Sequence, residues 1–330
     1  MASEFSEKLP EFSEQQDEGN EAAHNQSTVY VDSSDLDVVL STKPPSMFGL
    51  FWREIKHDIL AFISLILLVI LLLGIYIGAP IIQSQMDVMR NDLLIRNQSP
   101  EESGSLLGTD SNGRFIAPLL VVAARNSLNV AFAVTALSFA IGVIIGILSG
   151  FYGGTIDNIV MRIVDTWTML PAFMVMIAVI SLSPVRSTAL FIVIFTLFTW
   201  MARARLIRAA ALQNRNMDYI SASKTLGTRN IVIMIREMMP NLVDVIVANF
   251  VLTAAVNIGI ETGFSVIGFG MGIEHPSLGV MISNALQPVN LQFRWWTWAP
   301  AVILVITIML CINFVGNVLQ RVADPRQRLV

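Results

Sequence analysis

Long runs of uncharged, mostly apolar residues constrain this chain more than any other feature. Three of them, Ile59–Ile82, Ser127–Tyr152 and Trp295–Gln320, contain no Asp, Glu, Lys or Arg. About 20 such residues cross the hydrocarbon core of a bilayer as a helix, and backbone groups in lipid must be hydrogen-bonded within the protein. The chain has 14% charged residues, whereas a soluble domain carries about 25%. The sequence therefore predicts an all-α polytopic membrane protein.

Three further stretches are weaker candidates for membrane spans. Thr166–Val185 is uncharged but interrupted by Pro171 and Pro184, while Ser187–Ala202 and Val245–Ile260 are short and flanked by charge. By length alone the last two could be buried helices of a soluble protein. Each of the three adjoins a polar loop, however, and neighbouring spans can shelter the flanking groups. We therefore expect six transmembrane helices.

The distribution of Lys and Arg predicts the orientation of these spans. With six spans both termini lie on one side, and that side would hold fifteen of the 21 basic residues, including the basic segment 203–236. Basic residues are enriched on the cytoplasmic side of membrane proteins. We therefore expect both termini and the basic segment in the cytoplasm, with two long extracellular segments at about 83–126 and 262–294.

The N-terminal part of the chain differs from the rest in composition. Residues 1–45 hold ten acids against Lys8 and Lys43 and have little apolar content, so we expect a disordered acidic cytoplasmic tail. Residues 46–82 form an amphipathic lead-in and the first span, and residues 127–330 form a core domain with the other five. The lone Cys311 excludes a disulfide and Cys-rich metal sites.

Small residues recur every four positions in two of the spans. These residues are Gly74 and Gly78 in the first span, and Ser138, Gly142, Gly146 and Gly150 in the second. Such a face allows another helix to approach closely. The approaching helix could belong to this chain or to a partner subunit.

Some charged residues lie close to the membrane spans. Arg162 and Asp165 are three residues apart on one predicted helix face and could pair with each other. Glu261 falls near the outer end of the fifth span. Ionisable groups in membranes suggest function by default, but positions near span ends favour structural roles.

The segment 211–241 has the pattern of a helical hairpin. Asp218 could cap a short helix, and Gly227 suits its C-terminus because glycine adopts left-handed backbone conformations at least cost. Thr228 or Asn230 could cap a second helix that Pro240 would stop. By pattern alone, this hairpin fits either a docking element for another protein or an interfacial helix.

Several motifs, taken in order, resemble one family. They are the hairpin Tyr219–Gly227, the element Leu107–Arg114, the stretch Gly150–Asp157, the segment Phe264–Gly270 and the terminal Asp324–Arg326. Together they are similar to the C-type permease subunits of the dipeptide, oligopeptide and nickel family of bacterial ABC importers. The resemblance implies the fold of a type I importer permease, with the hairpin as a coupling loop that docks on a separate ATPase.

The resemblance also implies which residues carry this function. The coupling residues would be Tyr219, Ile220, Ser221, Ala222, Ser223, Leu226 and Gly227, and an external element facing the binding protein would be Gly108, Thr109, Asp110, Gly113 and Arg114. Ser221 departs from the family, since it occupies the position where Glu usually meets an Arg of the ATPase, and Ser223 replaces the second Ala. The sequence contains no catalytic, cofactor or metal motif, so we expect a non-catalytic subunit.

The implied partners are a second permease subunit, two ABC ATPase subunits, an extracellular substrate-binding lipoprotein, a peptide substrate and membrane lipid, without nucleic acid. The implied location is the bacterial plasma membrane. Alternatives are a permease of the same family for nickel, another small solute or antimicrobial peptides, and, from other classes, a membrane enzyme or a secondary transporter. The lack of clustered catalytic residues disfavours the enzyme, and the lack of an evident internal repeat disfavours the secondary transporter.

Overall fold

The computed structural model describes residues 47–184, 187–272 and 275–323. The predictions for residues 1–45 and for Asp324–Arg326 lie outside these ranges. The described helices are α1 (Met47–His57), α2 (Ile59–Gln85), α3 (Pro100–Ser103), α4 (Ile116–Tyr152), α5 (Gly154–Thr168), α6 (Ala172–Leu182), α7 (Thr188–Arg215), α8 (Asp218–Thr225), α9 (Asn230–Ile233), α10 (Met239–Val266), α11 (Leu278–Ala285), α12 (Pro288–Phe293) and α13 (Ala299–Ala323). A π-helix, Met234–Met238, joins α9 to α10.

Five helices are long and apolar enough to cross a bilayer: α2, α4, α7, the continuous helix Asn230–Val266 and α13. Helices α5 and α6 are each too short to meet this criterion alone and meet it only together, with a bend of 72° at the break between them. The break ends at Pro171, which has no N–H group to continue the hydrogen-bond ladder. Counted as one broken span, the pair brings the total to the six that the sequence predicts.

The small-residue face of α4 packs against α7. A Cβ atom added at Gly146 would lie 2.8 Å from the carbonyl oxygen of Ala204, so the helices approach as closely as glycine permits. On this face the partner helix belongs to the same chain. The face on α2 differs, because a Cβ at Gly78 would meet only Val121, at 3.4 Å, and one at Gly74 would meet nothing within 4 Å.

A cluster of phenylalanines joins the bent pair to two long helices. The ring centroid of Phe264 on α10 lies 4.5 Å from that of Phe173 on α6 and 6.0 Å and 6.2 Å from those of Phe191 and Phe195 on α7. Tilted and edge-on contacts of this kind add to the stability gained by burial. The broken span is thereby held against the rest of the bundle.

Ion pairs connect α5 to α7. Arg205 binds Asp165 at 2.7 Å, and Arg208 binds Asp157 through two nitrogens at 2.5 Å each. The expectation that Arg162 pairs with Asp165 is therefore wrong. The cause is that α7, packed beside α5, brings a guanidinium group to Asp165 from a distant part of the chain.

Glu261 lies buried in α10, near the point where the segment after this helix packs on the bundle. Its carboxylate is fully buried and accepts a hydrogen bond from Ser265 at 2.8 Å. Ser277 caps α11 nearby, and the Leu278 N–H donates to Ser127 on α4 at 3.1 Å. The bond from Ser265 is in line with the structural role expected for Glu261, although its second carboxylate oxygen is buried without a hydrogen-bond partner among the described residues.

The two ends of the described chain meet at one side of the bundle. Arg321 of α13 binds Asp58, the N-cap residue of α2, at 2.6 Å and approaches Glu54 of α1 at 3.7 Å. The hydrogen bond from Arg321, with one from the Ala61 N–H, lowers the pKa of Asp58. The first and last spans are thus joined by a charge-assisted contact at their shared end.

Candidate functional site

The segment between the long helices α7 and α10 folds as the predicted helix–Gly–helix hairpin. Helix α7 ends at Arg215, α8 follows it, and the turn at residues 226–229 leads into α9. Short helices need tertiary packing to be stable. The contacts that hold this hairpin therefore decide how it can transmit force.

Gly227 closes the turn in the left-handed conformation, as predicted, with φ of 77°. Its N–H donates to the Lys224 carbonyl at 3.0 Å, and the Thr228 N–H donates to the Ser223 carbonyl at 3.1 Å. This pair of hydrogen bonds is the Schellman motif that ends many helices. Gly227 thus fixes the direction in which the chain leaves α8.

The helix caps of the hairpin differ from the prediction. Helix α8 starts after Met217, so Asp218 is its first helical residue, where its charge favours the positive end of the helix dipole. Helix α9 starts after Arg229, which makes no side-chain capping hydrogen bond. The proposed caps Asp218, Thr228 and Asn230 are therefore wrong, because both helices begin at residues without a capping side chain.

Pro240 does not stop the second helix, in contrast to the prediction. The preceding turn is a π-helix, in which the Met239 N–H donates to the Met234 carbonyl. Proline fits the first turn of a helix because no intrahelical acceptor is needed there, and α10 begins one residue before Pro240. The wide turn lets α10 continue directly from the hairpin into a long span.

The predicted coupling residues fall into an outward and an inward set. The outward set is Tyr219, Ser221, Ala222, Leu226 and Gly227, with 84% of Leu226 exposed. Ser223 is half-buried and Ile220 is fully buried. The exposed tip is therefore small and uncharged at Ser221 and Ala222, with one large apolar side chain at Leu226.

Ile220 anchors the hairpin to three long helices. It lies in one hydrophobic cluster with Ile147, Phe151, Ile207, Ala211, Ile233, Met234, Met238 and Leu242. These residues belong to α4, α7 and the helix that includes α10. Burying an isoleucine side chain contributes about 1.5–3 kcal/mol. The cluster therefore makes α8 a continuation of the bundle rather than a free loop.

Polar contacts add a second connection on the same hairpin. Ser223 donates to Glu237 at 2.8 Å, Tyr219 donates to Asn214 at 2.8 Å, and Asn241 donates to the Tyr219 hydroxyl at 3.0 Å. Burial, together with the nearby Glu237 carboxylate, raises the pKa of Tyr219. The phenol therefore stays protonated at neutral pH and can donate to Asn214. The sequence pattern had singled out neither Asn214 nor Glu237.

The predicted external element is a folded turn whose key side chains point inward. Thr109 is fully buried, donates to the Ile95 carbonyl and accepts from the Gln98 N–H. Arg114 is also buried and binds Asp110 at 2.7 Å. The buried side chains of Thr109 and Arg114 therefore stabilise the fold of this element and do not form its exposed surface.

The two glycines of the same element are required by close backbone contacts. Gly108 and Gly113 both have positive φ, and a Cβ atom at either would collide with the backbone of Gln98 or Asp92. Several leucines near the element are exposed, among them Leu106, which is 85% exposed.

Comparison with known proteins gives a consistent result. Residues 142–329 match the family model described as "Binding-protein-dependent transport system inner membrane component". The oligopeptide transport system permease protein OppC of Lactococcus lactis subsp. cremoris (strain SK11) is 42% identical over 275 residues, covering 83% of this chain and 93% of that protein. The dipeptide transport system permease protein DppC of Bacillus subtilis (strain 168) is 34% identical over 279 residues, covering 84% and 85%.

Among solved structures, inward-facing MetNI methionine ABC transporter matches with a TM-score of 0.49 and 20% identity. The match covers 62% of this chain and 96% of that chain.

Proposed function

The chain belongs to the family of binding-protein-dependent transport system inner membrane components, and we propose that it is a permease subunit of an ABC importer for oligopeptides or dipeptides. Its similarity to oligopeptide and dipeptide permeases over more than four-fifths of its length supports this substrate class. The chain forms half of the translocation pathway and performs no chemistry of its own. The observation that carries the proposal is the anchored hairpin with its exposed tip.

The proposed assembly contains a second permease subunit, two ABC ATPase subunits and an extracellular substrate-binding lipoprotein. The hairpin and both termini face the cytoplasm, which the basic residues at the end of α7 and in the hairpin (Arg215, Lys224, Arg229 and Arg236) support. The external element Gly108–Arg114 serves the binding protein indirectly. Its buried ion pair and left-handed glycines hold exposed residues such as Leu106 in place.

Coupling proceeds through the hairpin as a rigid unit. When the ATPases close on ATP, they move the tip at Leu226, and Ile220 and the Ser223–Glu237 hydrogen bond carry the displacement to the long helices. ATP drives the change because the assembly binds nucleotide with different affinity in its two states. At this tip, apolar contact by Leu226 replaces the ion pair that a glutamate would make at the position of Ser221.

A pair of equally exposed leucines tests the docking proposal. Leu226→Glu places a charge in the proposed interface, where desolvation is costly, so we expect the ATPases to be lost when the complex is purified through this chain. Leu106→Glu is the matched control, because Leu106 is 85% exposed against 84% for Leu226. We expect it to retain the ATPases fully.

Transport by the wild-type complex tests the substrate class. Reconstituted with all partners in proteoliposomes, it should import labelled dipeptides or oligopeptides when ATP is supplied. Retention of the ATPases by Leu226→Glu would contradict the docking role. Uptake of nickel but not of peptides would assign the chain to the nickel branch of the family.

A further inference from the structure

Helix α7 carries three arginines in one turn and a half, and one of them differs from the others. Arg205 and Arg208 each bind an aspartate of α5. Arg203 makes no salt bridge with any carboxylate in the described ranges 47–184, 187–272 and 275–323, and its Nε atom is buried without a hydrogen-bond partner there. This guanidinium group therefore lacks the counterion that its neighbours have.

The surroundings of Arg203 are apolar and aromatic. Its guanidinium carbon lies 5.7 Å from the ring centroid of the buried Phe139, whose ring in turn packs against Phe250 of α10 at 5.4 Å. A Cβ atom at Gly142 would lie 2.5 Å from the Arg203 Cβ. The glycine thus lets α7 approach α4 closely at the arginine.

A cation in this setting is costly unless an anion joins it. Charged side chains within transmembrane helices carry a penalty of several kcal/mol, and they mark substrate or ion pathways when they persist. A cation–π contact returns only about 0.5–2 kcal/mol. Phe139 therefore holds the guanidinium group in place without satisfying its charge or its fork of N–H donors.

We infer that Arg203 binds the C-terminal carboxylate of the peptide during its passage, an assignment that rests on the proposed function. Every unmodified peptide carries this group whatever its side chains. The planar guanidinium group matches a carboxylate through two parallel hydrogen bonds. A site on the pathway must also release its ligand. After the peptide leaves, the guanidinium group keeps its cation–π contact with the Phe139 ring.

The test compares a labelled peptide with the same peptide amidated at its C-terminus. Both are imported by the complete importer in proteoliposomes, and the ratio of the acid rate to the amide rate is measured for each variant. Because the binding protein is unchanged, its own preference cancels between variants. We expect Arg203→Gln to lower this ratio about 10-fold, the loss typical of one charge-assisted hydrogen bond.

Two further variants sharpen the comparison. Arg205→Gln is the matched control on the same helix, and the acid-to-amide ratio should keep its wild-type value in this variant. Arg203→Lys should lower the ratio less than Arg203→Gln, because an ammonium group keeps the positive charge but lacks the planar N–H donors that bind both carboxylate oxygens. If Arg203→Gln does not assemble, Arg203→Lys decides, and a wild-type ratio in that variant overturns the assignment.

Other outcomes separate this assignment from the proposed function. An unchanged ratio in Arg203→Gln, with import intact, overturns the carboxylate site and leaves the importer in place. An equal fall in both rates, with loss of the second permease from the complex, overturns it in favour of an acidic group on that subunit. Failure of the wild-type complex to import either peptide overturns the proposed function itself.

Discussion

The glycine at the tip of the hairpin offers a graded test of how the coupling element is built. A Cβ atom added at Gly227 would meet nothing within 4 Å, so a substitution acts through the backbone alone. The left-handed conformation costs a residue with a Cβ atom about 1–2 kcal/mol. The two hydrogen bonds that close the turn contribute about 1 kcal/mol each. Gly227→Ala therefore lowers the population of the closed turn about 5- to 30-fold.

We expect peptide-stimulated ATP hydrolysis to decrease in the order Gly, Asn, Ala, Val at position 227. Asparagine tolerates the left-handed region better than alanine, and a β-branched residue tolerates it least. The assay is peptide-stimulated ATP hydrolysis by the assembled complex in proteoliposomes. Limited trypsin cleavage at Lys224 and Arg229, which flank the turn, should increase in the reverse order as the turn opens.

Two results would refute this reasoning. If Gly227→Val hydrolysed ATP with normal peptide stimulation, the left-handed turn would not be needed for coupling. If Asn were more harmful than Ala, side-chain size rather than backbone strain would set the effect. The empty space around this position in the chain would then be filled by a partner protein.

Three other changes test the fold and its orientation. Gly146→Val should destabilise the purified subunit by about 1–3 kcal/mol through overpacking, whereas Gly74→Val, which meets open space, should change the unfolding midpoint in detergent little. In a cysteine-free background, an impermeant maleimide should label a cysteine at the exposed Glu101 on intact cells but not one at the exposed Ser221; the reverse pattern would invert the topology. A chain starting at Met47 should insert, assemble and import, because the acidic tail has too little apolar surface to offset the cost of ordering, and loss of ATPases on truncation would contradict this.

The spans were predictable because the bilayer requires a helix of a certain length and excludes charge. Both requirements are visible in the sequence as long uncharged apolar runs. The break at Pro171 and the turn at Gly227 were predictable for a similar reason. Each depends on a backbone property of one residue, the missing N–H of proline or the freedom of glycine, which holds whatever the rest of the chain does.

The pairing of side chains was less predictable. Asp165 had a nearby candidate in Arg162, but its partner is Arg205, on another helix. Glu237 joins Ser223 across the hairpin. Local spacing shows which residues share a helix face, but it does not show which helix will pack against that face. Pro240 failed as a stop signal because the π-helix before it gave α10 a new first turn.

That π-helix has a consequence for the direction in which the hairpin points. Its hydrogen bonds span five residues instead of four, so it holds one residue more than an α-helical turn. Each residue of an α-helix turns the chain by about 100°. One extra residue in an ordinary α-helix would therefore rotate the hairpin by about that angle relative to α10, whereas the wider turn at Met234–Met238 takes up the extra residue locally. Removing one residue there should convert the wide turn into an ordinary α-helical turn, while the hairpin, held by Ile220 in its hydrophobic cluster, keeps its direction. The wide turn thus lets the chain carry one additional residue at this junction without changing the surface to which Leu226 is presented.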